Sequence, residues 1–199
     1  RGTQLVLVGD KDQLPSVGAG NVLADIIASG VISVCELTYV YRQDKDSLII
    51  SNAHLINDCK MPVINNKGTD FFFEEKSEPE AMLKSVVNLT YLRLPKFLNV
   101  DSAKIQVLAP MKSGLCGVDN LNKQLQEKIN PPSLKKPELE TEHTIYRLGD
   151  RVMQITNNYE REWIKDNREQ GAGVFNGDIG VINHVEPNTF ETTVLFEDG

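Results

Sequence analysis

Cysteine is scarce. The chain has three, Cys35, Cys59 and Cys116, with no CxxC pair. An odd, scattered set excludes a disulfide framework and a zinc ribbon, and reads as reduced thiols of a cytoplasmic protein. Histidine is equally sparse: His54, His143 and His184 share no metal-ligand spacing, so no metal site is expected. No apolar run approaches the roughly 20 residues that span a bilayer, so no membrane role is expected. The opening Arg1-Gly2-Thr3-Gln4 is not the basic-then-apolar start of a secretory leader. An excess of positive charge is lacking too. The 21 basic side chains face 28 acidic ones, for a net charge of −7. That excludes a broadly cationic nucleic-acid coat and leaves room for a local groove.

What remains is ordinary globular material: 199 residues, 40% hydrophobic and 25% charged. The chain starts without Met, and it stops at Asp198-Gly199, a hairpin-turn dipeptide directly after the apolar Val194-Leu195-Phe196. It is therefore expected to be a piece of a longer protein. The first two thirds alternate apolar runs with helical patterns. Leu5–Val8, Val31–Leu37 and Ile105–Leu108 read as strands buried on both faces, with a shorter strand at Phe71–Phe73. Between them, Asn21 caps a helix closed by Gly30, with Val22, Leu23, Ile26 and Ile27 on one face. Residues 46–57 read as a helix with Leu48, Ile49 and Ile56 inward. Ser77 and Pro79 start another, running to about Leu92. Leu121, Leu125 and Ile129 mark a last helix, stopped by Pro131-Pro132.

This alternation predicts a parallel α/β sheet. The texture changes after residue 133. A polar linker leads to short β segments from Ile145 onward, with turns at Asn157-Asn158 and Asn176-Gly177, as in a small barrel.

The chemistry concentrates in Leu5–Leu23. An apolar run delivers Gly9, Asp10 and Gln13 to the carboxyl edge of the expected sheet, where α/β folds bind ligands. Gln13 can donate and accept at once, so it can sense a phosphate oxygen or orient a water.

The segment GDKDQLPSVGAG (Gly9–Gly20) resembles motif III of superfamily-one helicases in its RecD-like form. Leu37–Gln43 resembles the following motif IV. Val107–Lys112 through Leu121-Asn122 is similar to the next block. Gly149–Gln154, Asn157–Tyr159 and Val174–Gly180 resemble the region around that family's SH3-like insertion. The blocks run in family order. The resemblance, to the exodeoxyribonuclease V alpha-subunit family, implies an incomplete RecA-like (P-loop NTPase type) parallel-sheet domain followed by an SH3-like β-barrel module. Residues 1–32 would end the first RecA-like domain, 33–144 would form part of the second, and 145–199 the β-rich insertion.

By that resemblance Gly9, Asp10, Gln13, Tyr41 and Arg42 would meet ATP. Gln13 and Arg42 would contact the γ-phosphate from two domains, and Tyr41 would stack on adenine. Ser16, Val17, Lys112, Tyr159 and Asn176 would meet single-stranded DNA, with Trp163 a weaker candidate for base stacking. The plainer alternatives are a polar loop for Asp10 and Gln13, a surface ion pair for Arg42, core packing for Tyr41 and Trp163, a solvated lysine for Lys112, and a bare turn at Asn176. The phosphate loop GxxxxGK[ST] and the acidic magnesium motif of the family do not occur. ATP and Mg2+ are thus expected in the intact parent and not held stably by this chain, which alone would not hydrolyse ATP. The implied function is ATP-driven translocation and unwinding of DNA in recombination and repair, alone or with other subunits of a RecBCD-type complex. No acidic cluster supports nuclease chemistry. The alternatives are a non-catalytic DNA- or protein-binding module, and the helicase part of a conjugative relaxase.

Overall fold

The computed structural model describes residues 2–15, 18–37, 47–67, 70–165 and 168–196. The chain divides into two units, Arg1–Glu75 and Lys76–Gly199.

Among the described residues of the first unit, two short helices form where capping residues fall beside apolar spacing. Helix α1 is Val22–Ser29; the Asn21 side chain accepts from the Ala24 amide, and Gly30 closes it in the left-handed region. Helix α2 is Leu48–Asn57, and Ser47 accepts from the Ile50 amide. Asp70 completes this cap across the loop. Its Oδ2 accepts from the Ser47 hydroxyl at 2.5 Å and its Oδ1 from the Leu48 amide at 3.1 Å. The Ser47 hydroxyl and these amides hold the Asp70 carboxyl below its ordinary 3.8.

The inward face of α2 is not the expected one. Ile49 and Ile56 are exposed, and the residue most deeply buried is Asn52, at 1% exposure. Its amide donates to the Val63 carbonyl at 3.0 Å and accepts from the Val63 amide at 2.7 Å. Asn66 treats Phe73 the same way, at 2.8 and 2.6 Å. Two side-chain amides thus stand in for strand partners, satisfying backbone that no ladder satisfies.

The second unit opens with helix α3 (Pro79–Asn88), with proline in its first turn. It runs past Leu92 through a π turn, Leu89–Arg93, into α4 (Leu94–Leu98), which ends at Asn99 in the left-handed region. Helix α5 is Val118–Ile129, with Leu121 buried and Leu125 and Ile129 half-buried, as the spacing predicts. Seven strands follow: β1 (Glu138–Glu140), β2 (Ile145–Arg147), β3 (Arg151–Met153), β4 (Asn158–Ile164), β5 (Gln170–Val174), β6 (Ile179–Glu186) and β7 (Glu191–Phe196). They pair as β1-β2, β4-β5 and β3-β6-β7, each ladder antiparallel. Leu139, Ile182 and Val185 form the core, with Leu148, Val152 and Val194 against it.

The expected strands at 5–8, 31–37, 71–73 and 105–108 carry no ladder among the described residues, and Leu5 to Val8 are exposed. An apolar run becomes a sheet strand only where neighbours satisfy its backbone, and no described segment does so here. The run 105–109 still alternates, with Ile105, Val107 and Ala109 half-buried and Gln106 and Leu108 exposed.

A buried polar knot joins α5 to the β region. Asp150, 9% exposed, is its centre. Its Oδ2 accepts from the Gln126 amide at 2.5 Å and from the Arg147 backbone amide at 2.7 Å, and its Oδ1 from the Asn130 amide at 2.7 Å. Gln126 also donates to the Ile145 carbonyl and Asn130 to that of Leu148. The Arg147 side chain, 3% exposed, donates to Glu138 at 2.5 Å and to the Asn130 carbonyl, while Lys136 reaches the Asn130 side chain. Burial is the largest single influence and opposes the Arg147 charge, but the hydrogen bond to Glu138 and the charges of Glu138, Glu127 and Asp150 together outweigh it and hold the guanidinium more firmly protonated than usual. Gly149 supplies the bend, with φ at 88°.

Two outcomes follow from these contacts. Asp150→Ala strands three donors at once, and each buried unsatisfied group costs about 1–3 kcal/mol. Denaturant unfolding should therefore show a loss of at least about 3 kcal/mol. Glu127→Ala, removing a half-exposed carboxylate 3.6 Å from Arg147, should cost less than about 1 kcal/mol. Equal losses would remove the knot's special role. For α2, a depressed folded pKa means that the Asp70 contribution is complete above its ordinary value and is lost as pH falls through the lower, folded one. The protection of the α2 amides, corrected for the intrinsic pH dependence of exchange, should fall in acid below about pH 4. In Asp70→Asn that protection should already be lower at neutral pH and nearly flat across that range.

Candidate nucleotide and nucleic acid sites

The loop after Val8 is fixed from three sides. A Cβ on Gly9 would lie 2.8 Å from Leu23 Cδ2, so the backbone passes close against α1. Lys11 pairs with Glu36 at 2.6 Å, and this bond and charge raise the lysine above its usual 10.5. Asp10 accepts from the Asp12 amide at 3.0 Å through Oδ1 and from Gln13 Nε2 at 2.9 Å through Oδ2. These two hydrogen bonds hold its carboxyl below the ordinary 3.8. Gly9, Asp10 and Gln13 are therefore together in one ordered turn, exposed to solvent. Ser16, Val17, Tyr41 and Arg42 lie outside the described residues. Among the described residues no group of three His, Cys, Asp or Glu could hold a metal. The Asp10 oxygens are already engaged by two donors, and a lone carboxylate of this kind is not a magnesium cradle.

A second cluster lies on the β region. The β4-β5 pairing shifts register between Asn158 and Glu162. Asn158 Oδ1 closes this bulge, accepting from the amides of Glu160 and Arg161, both at 3.1 Å. Tyr159 sits in it, 68% exposed, with its ring edge-on to Phe175 at 5.7 Å and 72°. Asn157 links the two candidates there. It donates to the Tyr159 hydroxyl at 3.3 Å and accepts from the Asn176 amide at 2.9 Å. Tyr159 and Asn176 thus come together, although 17 positions separate them. Asn176-Gly177 is also the turn that the sequence suggests: the Asp178 amide donates to the Phe175 carbonyl at 3.0 Å.

Lys112 is exposed just before α5. The amides of Val118 and Asp119 donate to the carbonyls of Met111 and Lys112. The helix N-terminus beside Lys112 therefore has two of its donors engaged and is a poor phosphate cradle. Trp163 is a packing residue. A Cβ on its cross-strand partner Gly171 would fall 2.3 Å from the indole, and Lys165 lies 5.5 Å from the ring centre. The sequence reading missed Asn157, Phe175 and Asp150. Each stands inside or beside a quoted block, but only their contacts assign them work.

Two family models match separate parts of the chain. Residues 121–196 match the SH3 domain of ATP-dependent RecD-like DNA helicases, and residues 1–69 match an AAA domain. The ATP-dependent RecD2 DNA helicase of Deinococcus radiodurans is 32% identical over 93% of this chain. The RecBCD enzyme subunits RecD of Buchnera aphidicola and Mycolicibacterium smegmatis are 22% and 26% identical over 98% and 90%. Over most of its length the chain is similar to RecD-type helicase proteins. It spans 22%, 39% and 31% of the lengths of those relatives. The chain is an AAA-type α/β segment followed by an SH3-like module, and no helix among its described residues is long and apolar enough to cross a membrane.

Gly171→Ala would force the indole off the sheet. Trp163 is the sole tryptophan, so its emission should shift to the red. An unmoved spectrum would mean that the ring does not rest on Gly171.

Proposed function

We propose that this chain is the motor-to-insertion segment of an ATP-dependent DNA helicase, one that couples ATP hydrolysis to movement on single-stranded DNA and to unwinding. The observation that carries the reading is the Gln13 turn. A bifunctional amide is held on an exposed loop, in the part of the chain that matches an AAA domain. Gln13 would face the γ-phosphate end of ATP. Arg42 would approach from the second RecA-like domain, where its delocalised cation suits charge on the transferring phosphoryl group. Mg2+ and the inner phosphates would be held by residues outside this chain. Tyr41 would stack on adenine, and Ser16, Val17 and Lys112 would line the DNA path.

Tyr159 would offer a ring face to bases, a contact that tolerates any sequence. Arg161 stands among Glu160 and Glu162, so the salt dependence of this contact would be shallow. Other subunits of a RecBCD-type complex are proposed partners, by analogy with the relatives named as its RecD subunit. A non-catalytic DNA-binding module is the second reading. What favours it is that every described ladder falls within residues 138–196.

In the intact parent, Gln13→Ala and Arg42→Ala should each lower DNA-stimulated ATP turnover by about a hundredfold or more. Tyr159→Ala should weaken binding of a single-stranded oligonucleotide by roughly 5- to 150-fold, the equivalent of about 1–3 kcal/mol per stacked base. This chain alone should show no DNA-stimulated ATPase. Unimpaired turnover in both motor variants would end the helicase assignment of these residues. Oligonucleotide binding that depends on Tyr159 without any ATPase in the parent would favour the module.

A further inference from the structure

We infer that Asp10 is a positioning residue that decides which face of the Gln13 amide is presented to the nucleotide site. This rests on the reading of Gln13 given above. A carboxylate offers only acceptors, so the amide atom 2.9 Å from Asp10 Oδ2 must be the nitrogen. With one N–H spent on Asp10, the nitrogen end of the amide is turned toward the carboxylate. Oε1 and the second N–H then face away from the carboxylate. An acceptor and a donor side by side suit a water that must be oriented next to a phosphate oxygen. An amide turned the other way would present only donors, which suit the phosphate and leave the water without an acceptor.

The anchor is itself anchored. Asp10 Oδ1 holds the Asp12 amide at 3.0 Å, Gly9 lies against Leu23, and Lys11 is tied to Glu36. The carboxylate thus has two tasks, one oxygen closing the turn and the other holding Gln13. Its depressed pKa is the consequence of the same two bonds.

Asp10→Asn separates the two tasks. The oxygen of the introduced carboxamide can still accept from the Asp12 amide, but its NH2 then faces Gln13. Two NH2 groups cannot bond to each other, so the Gln13 amide must flip or let go. In the intact helicase, D10N should lower kcat for DNA-stimulated ATP hydrolysis about a hundredfold, the scale of a small misplacement of a reacting group, with KM for ATP unchanged. The double variant D10N/Q13A should be no slower than Q13A alone, because the two residues act as one unit. Asp10→Glu, which keeps two acceptor oxygens, should turn over faster than D10N. A thermal melt checks that each variant folds. Wild-type kcat in D10N, with Q13A impaired, would overturn the role of Asp10 and leave that of Gln13 standing. So would D10E no faster than D10N, or additive losses in the double variant. Full turnover in Q13A would instead remove the reading on which this inference rests.

Discussion

The Asp150 carboxylate is the contact on which the second unit depends. It sits where a helix, a turn and two strands meet, and it answers a donor from each side: Gln126 and Asn130 from α5, and the Arg147 amide from the turn. Its own carbonyl accepts from Ile182, and the neighbouring Gly149 amide donates to the Ile182 carbonyl, which ties the turn into β6. The apolar cluster beside it is small, with three buried side chains among the described residues. A core of that size cannot by itself fix how a helix meets a barrel-like sheet, because apolar contact is non-directional. Buried hydrogen bonds are directional and are costly to misplace, so here they define the geometry that the apolar residues fill.

The same economy recurs at smaller scale. Asn52 serves the backbone of Val63, Asn66 that of Phe73, Asn158 the β4 bulge, and Asn157 bridges Tyr159 to Asn176. Where ladders are absent, carboxamides supply the missing partners. An amide can donate and accept at one point, which a hydroxyl does less rigidly and a carboxylate cannot do at all. Gln13 belongs to this group in chemistry. It differs in that its single described partner is an acceptor, which leaves its second N–H and its carbonyl oxygen without a described partner.

This explains what could be read from the sequence. The α1 and α5 helices were legible because caps and apolar spacing agree there. The turn at Asn176-Gly177 and the β texture after residue 138 were legible because the signals are local. The strands at 5–8, 31–37 and 105–108 were legible only as apolar runs; whether such a run pairs is decided by other segments, and the described residues supply no neighbour for them. Ile49 and Ile56 read as inward by their hydrophobicity, yet both are exposed. At α2 a hydrogen-bonding duty buries Asn52 instead. At the candidate sites, the resemblance pointed to Asp10, Gln13, Tyr159 and Asn176. That Asp10 aims Gln13, and that Asn157 joins Tyr159 to Asn176, is visible only as contacts, because a partner across a turn has no periodicity to betray it.

The two candidate sites differ in how they could answer a ligand. The Tyr159 cluster is preformed: its bulge is closed by Asn158, its ring is braced by Phe175, and a base would find the face already presented. Binding there orders little and needs no change of shape, so it suits continuous, sequence-blind contact with a strand that slides past. The Gln13 turn is also ordered, but one hydrogen bond in solvent holds the amide's orientation. Water competes for such a bond and leaves its net worth small, so a bound nucleotide can compete for it too. In the proposed motor, the first would be a grip that stays built through the cycle and the second a sensor whose state costs little to change.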